Sequence, residues 1–250
     1  MDRDYFYAVM NGDSSLDYEK YLNTAMLLQV QKPYEDLCNG DELQFQIVHQ
    51  VEELWMKLIA YTLLDIDERL AENATHRVVT LFHRVHIFQR HLISQLAALE
   101  TMSPKEYQAI RLQLGNGSGQ ESPGFRTLLK MPPFLWETFD RIYLKAAGLT
   151  VSDIYDTNYD HGDAYVVAER LVEFDELFQT FRFQHLQLIR RSIGAETKSL
   201  KGRPIDALEQ GVKHRFFPAL WAVRSQMTDN WGGEYGVKRA SLPDDGGGFH

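Results

Sequence analysis

The 250-residue chain is predicted to be all-α. Two observations carry that prediction. Apolar residues recur at three- and four-residue steps along most of the chain, and no segment of useful length alternates with the period of a strand. Serine–proline and glycine punctuation then marks where individual helices begin and end.

A first long helix is expected over residues 42–70, where Val48, Val51, Trp55, Leu58 and Ile59 share one face. A second runs over 76–99 through Val79, Phe82, Val85, His86, Leu92, Leu96 and Leu99. Ser103, Pro104 and Glu106 read as an N-cap, a proline at the first helical position and an acidic first turn. That helix carries Tyr107, Ile110, Arg111 and Leu114, and the glycine-rich stretch 115–124 is expected to be a loop. A shorter helix follows over 133–147. The cleanest stripe comes next, Val167, Leu171, Phe174, Phe178, Phe181, His185, Leu188 and Ser192, with Gly194 as its C-cap. Residues 197–204 are polar and irregular. Last helices are expected over 205–213 and after Pro218, through Leu220, Val223 and Met227, before a frayed tail. Without an internal repeat or a linker rich enough to divide it, the chain is expected to form one domain over residues 1–250.

Composition excludes several classes of function. Apolar residues are 44% and charged residues 24%, which suits a globular chain and not a disordered or fibrous one. The net charge of −9 argues against nucleic acid or an anionic membrane as the main partner, since both require a basic face. The single cysteine, Cys38, excludes an internal disulfide, a thiolate zinc cluster and a CxxCH haem attachment. It also fits a reducing compartment. No apolar run approaches the roughly 20 residues of a membrane helix, and the acidic N-terminus lacks signal-peptide order. A soluble, cytoplasmic protein is expected.

His185 holds a slot in a stripe otherwise filled by valine, leucine and phenylalanine. It reads either as a core histidine satisfied by a carbonyl or as a metal ligand inside a helical bundle. No carboxylate lies within a turn upstream, so a zinc or di-iron set does not form; a lone histidine among aromatics suits haem better. His49 flanks an apolar face one turn after Phe45, either paired with Glu52 or Glu53 or functional. His76, His83, His86, His91 and His161 read mostly as surface residues. Arg111 is either a snorkelling arginine or a bidentate clamp on a carboxylate. The Gly117-Ser118-Gly119 stretch lacks a phosphate-loop pattern and a preceding strand.

Taken together, these segments resemble the tryptophan 2,3-dioxygenase family. Tyr18-Glu-Lys-Tyr21-Leu22 resembles its N-terminal tyrosine segment, and Phe45-x-x-x-His49-Gln50-x-x-Glu53-Leu54-Trp55-x-Lys57-Leu58 resembles its distal-side helix. Tyr107-x-x-x-Arg111 with Gly117-Ser118-Gly119, the Phe181–Gly194 segment around His185, and Phe216-Phe217-Pro218-x-Leu220-Trp221-x-Val223-Arg224 follow in the family's order. The resemblance spans about four-fifths of the chain, from Tyr18 to Arg224.

The resemblance implies an all-α bundle that binds haem b, active as Fe²⁺, and assembles as a homotetramer. By it, His185 is the axial iron ligand and His49 the distal histidine that takes the substrate indole N–H. Phe45 and Tyr107 line the indole pocket, Arg111 holds the substrate carboxylate, and Ser118 and Gly119 sit at the haem and substrate edge. Tyr18, Tyr21 and Leu22 are lent to a neighbouring subunit's pocket, so residues 1–30 serve the oligomer. The implied activity is insertion of O₂-derived oxygen into the indole C2=C3 bond of L-tryptophan or a substituted tryptophan, giving N-formylkynurenine. The partners are then a small indole amino acid and O₂.

One stretch departs from the family. Its usual Gly-Thr-Gly-Gly-[Ser/Thr]-Ser-Gly loop is replaced by Lys198-Ser199-Leu200-Lys201-Gly202-Arg203-Pro204, where Ser199 can stand in for the threonine that contacts the amino acid. The alternative this raises is monooxygenation of a β-methyltryptophan to a 2-oxindole in a secondary-metabolite pathway. A lesser alternative is a non-catalytic haem or indole sensor.

Overall fold

The computed structural model describes residues 1–12, 15–115, 117, 119–197 and 206–230, with backbone alone for 206–209. In chain order its helices are α1 (Arg3–Val9), α2 (Asp17–Leu22), α3 (Thr24–Leu27), α4 (Glu42–Ala71), α5 (Thr75–Leu99) and α6 (Pro104–Gln113). There follow α7 (Pro123–Lys130), α8 (Pro132–Phe139), α9 (Val151–Tyr155), α10 (Asp163–Ile193), α11 (Asp206–Lys213) and α12 (Pro218–Asn230). No strand occurs among the described residues, as the periodicity predicts.

The three long helices make the frame. A three-residue connection turns α4 back into α5, and α5 packs against both α4 and α10. Leu63 and Ile66 of α4, Phe82, Val85 and Leu92 of α5, and Leu171, Phe174 and Phe178 of α10 are all fully buried in one continuous core. Each such side chain contributes roughly 1.5–3 kcal/mol relative to leaving it in water. On this frame α7 and α8 lie against α4, while α6 and α11 lie against α10. The α10 stripe is as expected: Val167, Leu171, Phe174, Phe178, Phe181 and Leu188 are buried, His185 and Ser192 are half-buried, and the helix ends where Gly194 takes φ +83°.

Several boundaries differ from expectation. The stretch 115–124 is not all loop, because a single 3₁₀ turn spans Gly119–Glu121 and α7 begins at Pro123. Ser122 caps α7 by accepting from the Phe125 N–H at 3.0 Å, with Pro123 at the first helical position. This repeats the Ser103–Pro104 start of α6. The helix expected over 133–147 begins at Pro132, widens into a π segment over Asp140–Leu144 and tightens into one 3₁₀ turn before Gly148. Helices α1 to α3 and α9 have no counterpart in the sequence reading. None of α1 to α3 has a buried residue, so no apolar stripe announces them.

His86 is not a surface residue. It is fully buried, with Nδ1 3.0 Å from Glu173 Oε2 and Nε2 3.2 Å from the Arg170 carbonyl, so it joins α5 to α10. Ile205, most of the irregular 197–204 stretch and the tail from residue 231 lie outside the described residues. Among the described residues no helix is long and apolar enough to cross a membrane.

Candidate active site

A cavity of about 520 Å³ opens between α4, α7 and α10. Its size falls in the range of roughly 300–1,000 Å³ usual for small-molecule sites. Met56 of α4, Phe125 and Leu129 of α7, and Phe181 and Leu186 of α10 give it apolar walls. Close helix approach shapes one side. A Cβ added at Gly124 would lie 2.6 Å from the Met56 Cβ, nearer than real Cβ atoms come, so only glycine lets α7 start against α4. The Gly124 N–H donates to Glu53 Oε2 at 3.0 Å and fixes that contact.

His49 enters the cavity from α4. Its Nδ1 sits 2.7 Å from the Phe45 carbonyl oxygen, and its ring lies tilted by 38° against the Phe45 ring with centroids 4.1 Å apart. Of the two alternatives open from the sequence, pairing with Glu52 or Glu53 or a functional role, the pairing is not what the structure shows: the backbone carbonyl one turn earlier partners the ring. A carbonyl can only accept, so Nδ1 carries the proton. Burial pushes the imidazole pKa down, which keeps the ring neutral and leaves Nε2 as an acceptor.

His185 faces the same cavity from α10. Its ring lies 6.1 Å from that of Phe181, and among the described residues none hydrogen-bonds its ring nitrogens. The reading of it as a core histidine satisfied by a carbonyl therefore has no partner to rest on. Burial first, and the neighbouring His49 second, lower its pKa to about 4, so it is a neutral nitrogen donor. Gly119 closes over it, since a Cβ there would come to 3.8 Å from His185 Cε1. Among the described residues no three histidine, cysteine or acidic side chains cluster as a metal site. One neutral imidazole on an apolar void fits a metal that brings its own equatorial ligands, and haem is such a group.

Phe45 stands beside His49, and Phe45, Tyr107 and Arg111 do not line the cavity itself. The Phe45 and Tyr107 rings are 6.2 Å apart, and Arg111 follows Tyr107 by one turn of α6. Burial pushes the Tyr107 hydroxyl pKa up, with the Arg111 charge opposing. Arg111 is half-buried, with Nη1 3.5 Å from Gln108 Oε1. Tyr18, Tyr21 and Leu22 are 71%, 89% and 45% exposed and reach no part of this chain's cavity. Ser118 and Ser199 lie outside the described residues.

Four titratable cavity residues carry no site role in the sequence reading: Glu52, Glu53, Arg182 and His214. Glu52 is only 8% exposed, and its Oε1 has no hydrogen-bond partner among the described residues. Burial, helped by the adjacent Glu53, pushes its pKa up to about 8. Arg182 donates through Nη1 to the Gly211 carbonyl at 2.6 Å and through Nη2 to that of His214 at 3.1 Å. Its guanidinium stacks 5.0 Å over Phe178 and 5.1 Å over Phe216. It thus ties α10 to the segment leading into the Phe216–Arg224 signature. Asp175 secures the same signature, accepting from the Phe216 and Phe217 N–H groups and the Trp221 indole at 2.9, 3.2 and 2.9 Å.

The comparisons with known proteins point one way. A family model described as tryptophan 2,3-dioxygenase matches residues 7–131, half of the chain. A tryptophan 2,3-dioxygenase of Serratia proteamaculans is 27% identical, over 88% of this chain and 96% of that protein. One of Saccharopolyspora erythraea is 29% identical over 85% and 93%, and one of Myxococcus xanthus 29% over 84% and 89%.

Proposed function

The chain belongs to the tryptophan 2,3-dioxygenase family, and on that premise we propose that it is a haem-dependent oxygenase converting L-tryptophan and O₂ to N-formylkynurenine. The observation that carries the reading is the placement of two neutral histidines, His49 and His185, on opposite helices of one apolar cavity.

His185 would hold the iron of haem b in its Fe²⁺ form. When bound, haem supplies the activation of O₂ that insertion across the indole C2=C3 bond requires. The chain's own work is positioning. Nε2 of His49 accepts the indole N–H and fixes the ring's orientation. Phe45 and Tyr107 flank the ring near His49, and Arg111, one turn beyond Tyr107, takes the substrate carboxylate. Gly119 lies beside His185, where even a Cβ would stand at ordinary contact distance. Ser118 and Ser199 complete the haem and substrate edge. Met56, Phe125 and Leu129 keep water from the reacting bond. No proton need be abstracted by a carboxylate dyad.

Residues 1–250 act as one domain within a homotetramer. Exposed Ile47, Leu54, Leu58 and Tyr61 run at helical spacing along α4, an uncovered apolar stripe that a second copy would bury. Tyr18, Tyr21 and Leu22, exposed in their own chain, complete a neighbour's pocket. The unpaired Cys38 suits the reducing cytoplasm. The 2-oxindole alternative rested on residues 198–204, which lie outside the described residues, and no observation favours it.

Turnover tests the reading. Haem-loaded, reduced protein should consume L-tryptophan and O₂ and release N-formylkynurenine, and His185→Ala should lose both tight haem retention and turnover. Haem binding unaffected in His185→Ala, or no product from the wild type, would overturn it.

A further inference from the structure

Glu52 is a buried carboxyl with an open valence on the cavity wall. Leaving such a group unsatisfied is costly, so a ligand that supplies its partner gains affinity. Among the described residues none pairs with its Oε1. Glu53 is committed to the Gly124 N–H, and Arg182 spends Nη1 and Nη2 on the Gly211 and His214 carbonyls, its buried Nε remaining unpaired like the Glu52 oxygen.

Position along α4 decides which end of a ligand meets Glu52. Phe45 lies four residues before His49 and packs against Tyr107, and Arg111, one turn beyond Tyr107, marks the amino-acid end of the proposed pocket. Glu52 lies three residues after His49, on the same face and roughly 4.5 Å further along the axis. An indole whose N–H meets His49 and whose amino-acid arm runs toward Arg111 therefore turns its benzo ring toward Glu52. The carbons of that ring on the N–H side are carbons 6 and 7. Met56 and Phe125 beside Glu52 are apolar, so Glu52 is the polar group waiting there.

We infer that the cavity is built for a tryptophan carrying a hydroxyl or amino group on its benzo ring, with Glu52 as the specificity-determining hydrogen-bond partner. The inference rests on the proposed indole reading and narrows its substrate class. With its pKa near 8, the carboxyl is protonated at neutral pH and both donates and accepts, which suits a neutral hydroxyl.

The test is equilibrium binding to the haem-loaded protein. The ligands are L-tryptophan, its 6- and 7-hydroxy derivatives, and the matching methyl derivatives as shape controls. At least one hydroxy derivative should bind about tenfold tighter than its methyl counterpart, the worth of one well-made hydrogen bond. Glu52→Gln, which keeps a donor and an acceptor, should retain that ratio, and Glu52→Leu should bring it close to one. Hydroxy and methyl derivatives binding alike to the wild type would overturn the inference without any variant having to fold. A ratio that survives Glu52→Leu would overturn it as well. If L-tryptophan binds while the hydroxyl preference is missing, the assignment of Glu52 alone falls. If no indole amino acid binds, the indole reading of the site falls with it.

Discussion

The Nδ1 of His49 lies 2.7 Å from the carbonyl oxygen of Phe45, one turn earlier on α4. That contact fixes the tautomer, and with the ring held neutral by burial it leaves Nε2 able to accept and unable to donate. An indole N–H is the complement. L-Tryptophan methylated on the indole nitrogen should therefore bind about tenfold more weakly than L-tryptophan, measured as dissociation constants. Equal affinity would show that His49 holds another part of the ligand.

Arg111 stands one turn beyond Tyr107, whose ring reaches Phe45. Removing its guanidinium in Arg111→Ala should cost about 1.5–3 kcal/mol of L-tryptophan affinity, the worth of a hydrogen bond to a charged group. The loss should vanish for tryptamine, which has no carboxylate. An equal loss for both ligands would place Arg111 in a structural role.

Asp175 holds the Phe216–Trp221 segment through two backbone N–H groups and one indole N–H, all on Oδ2. In Asp175→Ala these buried donors lose their acceptor, with an expected cost of roughly 3–5 kcal/mol. At roughly 2–4 °C per kcal/mol for a protein of this size, thermal unfolding should fall by about 6–20 °C. A shift under a few degrees would mean that water replaces the carboxylate.

Glu52 gives stability a pH dependence whose sign can be worked out. Its carboxyl has an ordinary value of 4.5 and is raised to about 8 in the folded chain, so the native state binds the proton more tightly. The associated stability is full below about pH 4.5 and is lost as pH rises through 8. Glu52→Gln should therefore gain on the wild type steadily from pH 5 to pH 8, by a few kcal/mol at most. His49, Glu53, Arg182, His185 and His214 line the same cavity in both proteins, so the difference isolates Glu52. Parallel melting-temperature profiles would contradict its raised pKa.

The α10 stripe was legible because seven-residue spacing from Val167 to Ser192 leaves only one face to bury. Helix α7 was not, because Pro123 and Gly124 look like breakers until tertiary packing is known. Proline there is a helix start, and glycine is the contact with Met56. His86 was misplaced because its burial depends on Glu173 and Arg170, 87 and 84 residues away in sequence. In the site, the residue types at 49, 111 and 185 were visible from spacing, and their proposed roles came from the family resemblance. Glu52 escaped notice for a local reason. A carboxylate three residues after a histidine on a helix reads as its surface ion-pair partner. Only the crossing of α7 over α4 shows that it is buried and faces a void.

The central claim is that this cavity dioxygenates an indole. The most direct measurement is the mass of the product formed by reduced, haem-loaded protein from L-tryptophan under isotope-labelled O₂. The account predicts N-formylkynurenine carrying two labelled oxygen atoms. A product with one labelled atom, or unchanged L-tryptophan over a stable oxygenated protein, would contradict it.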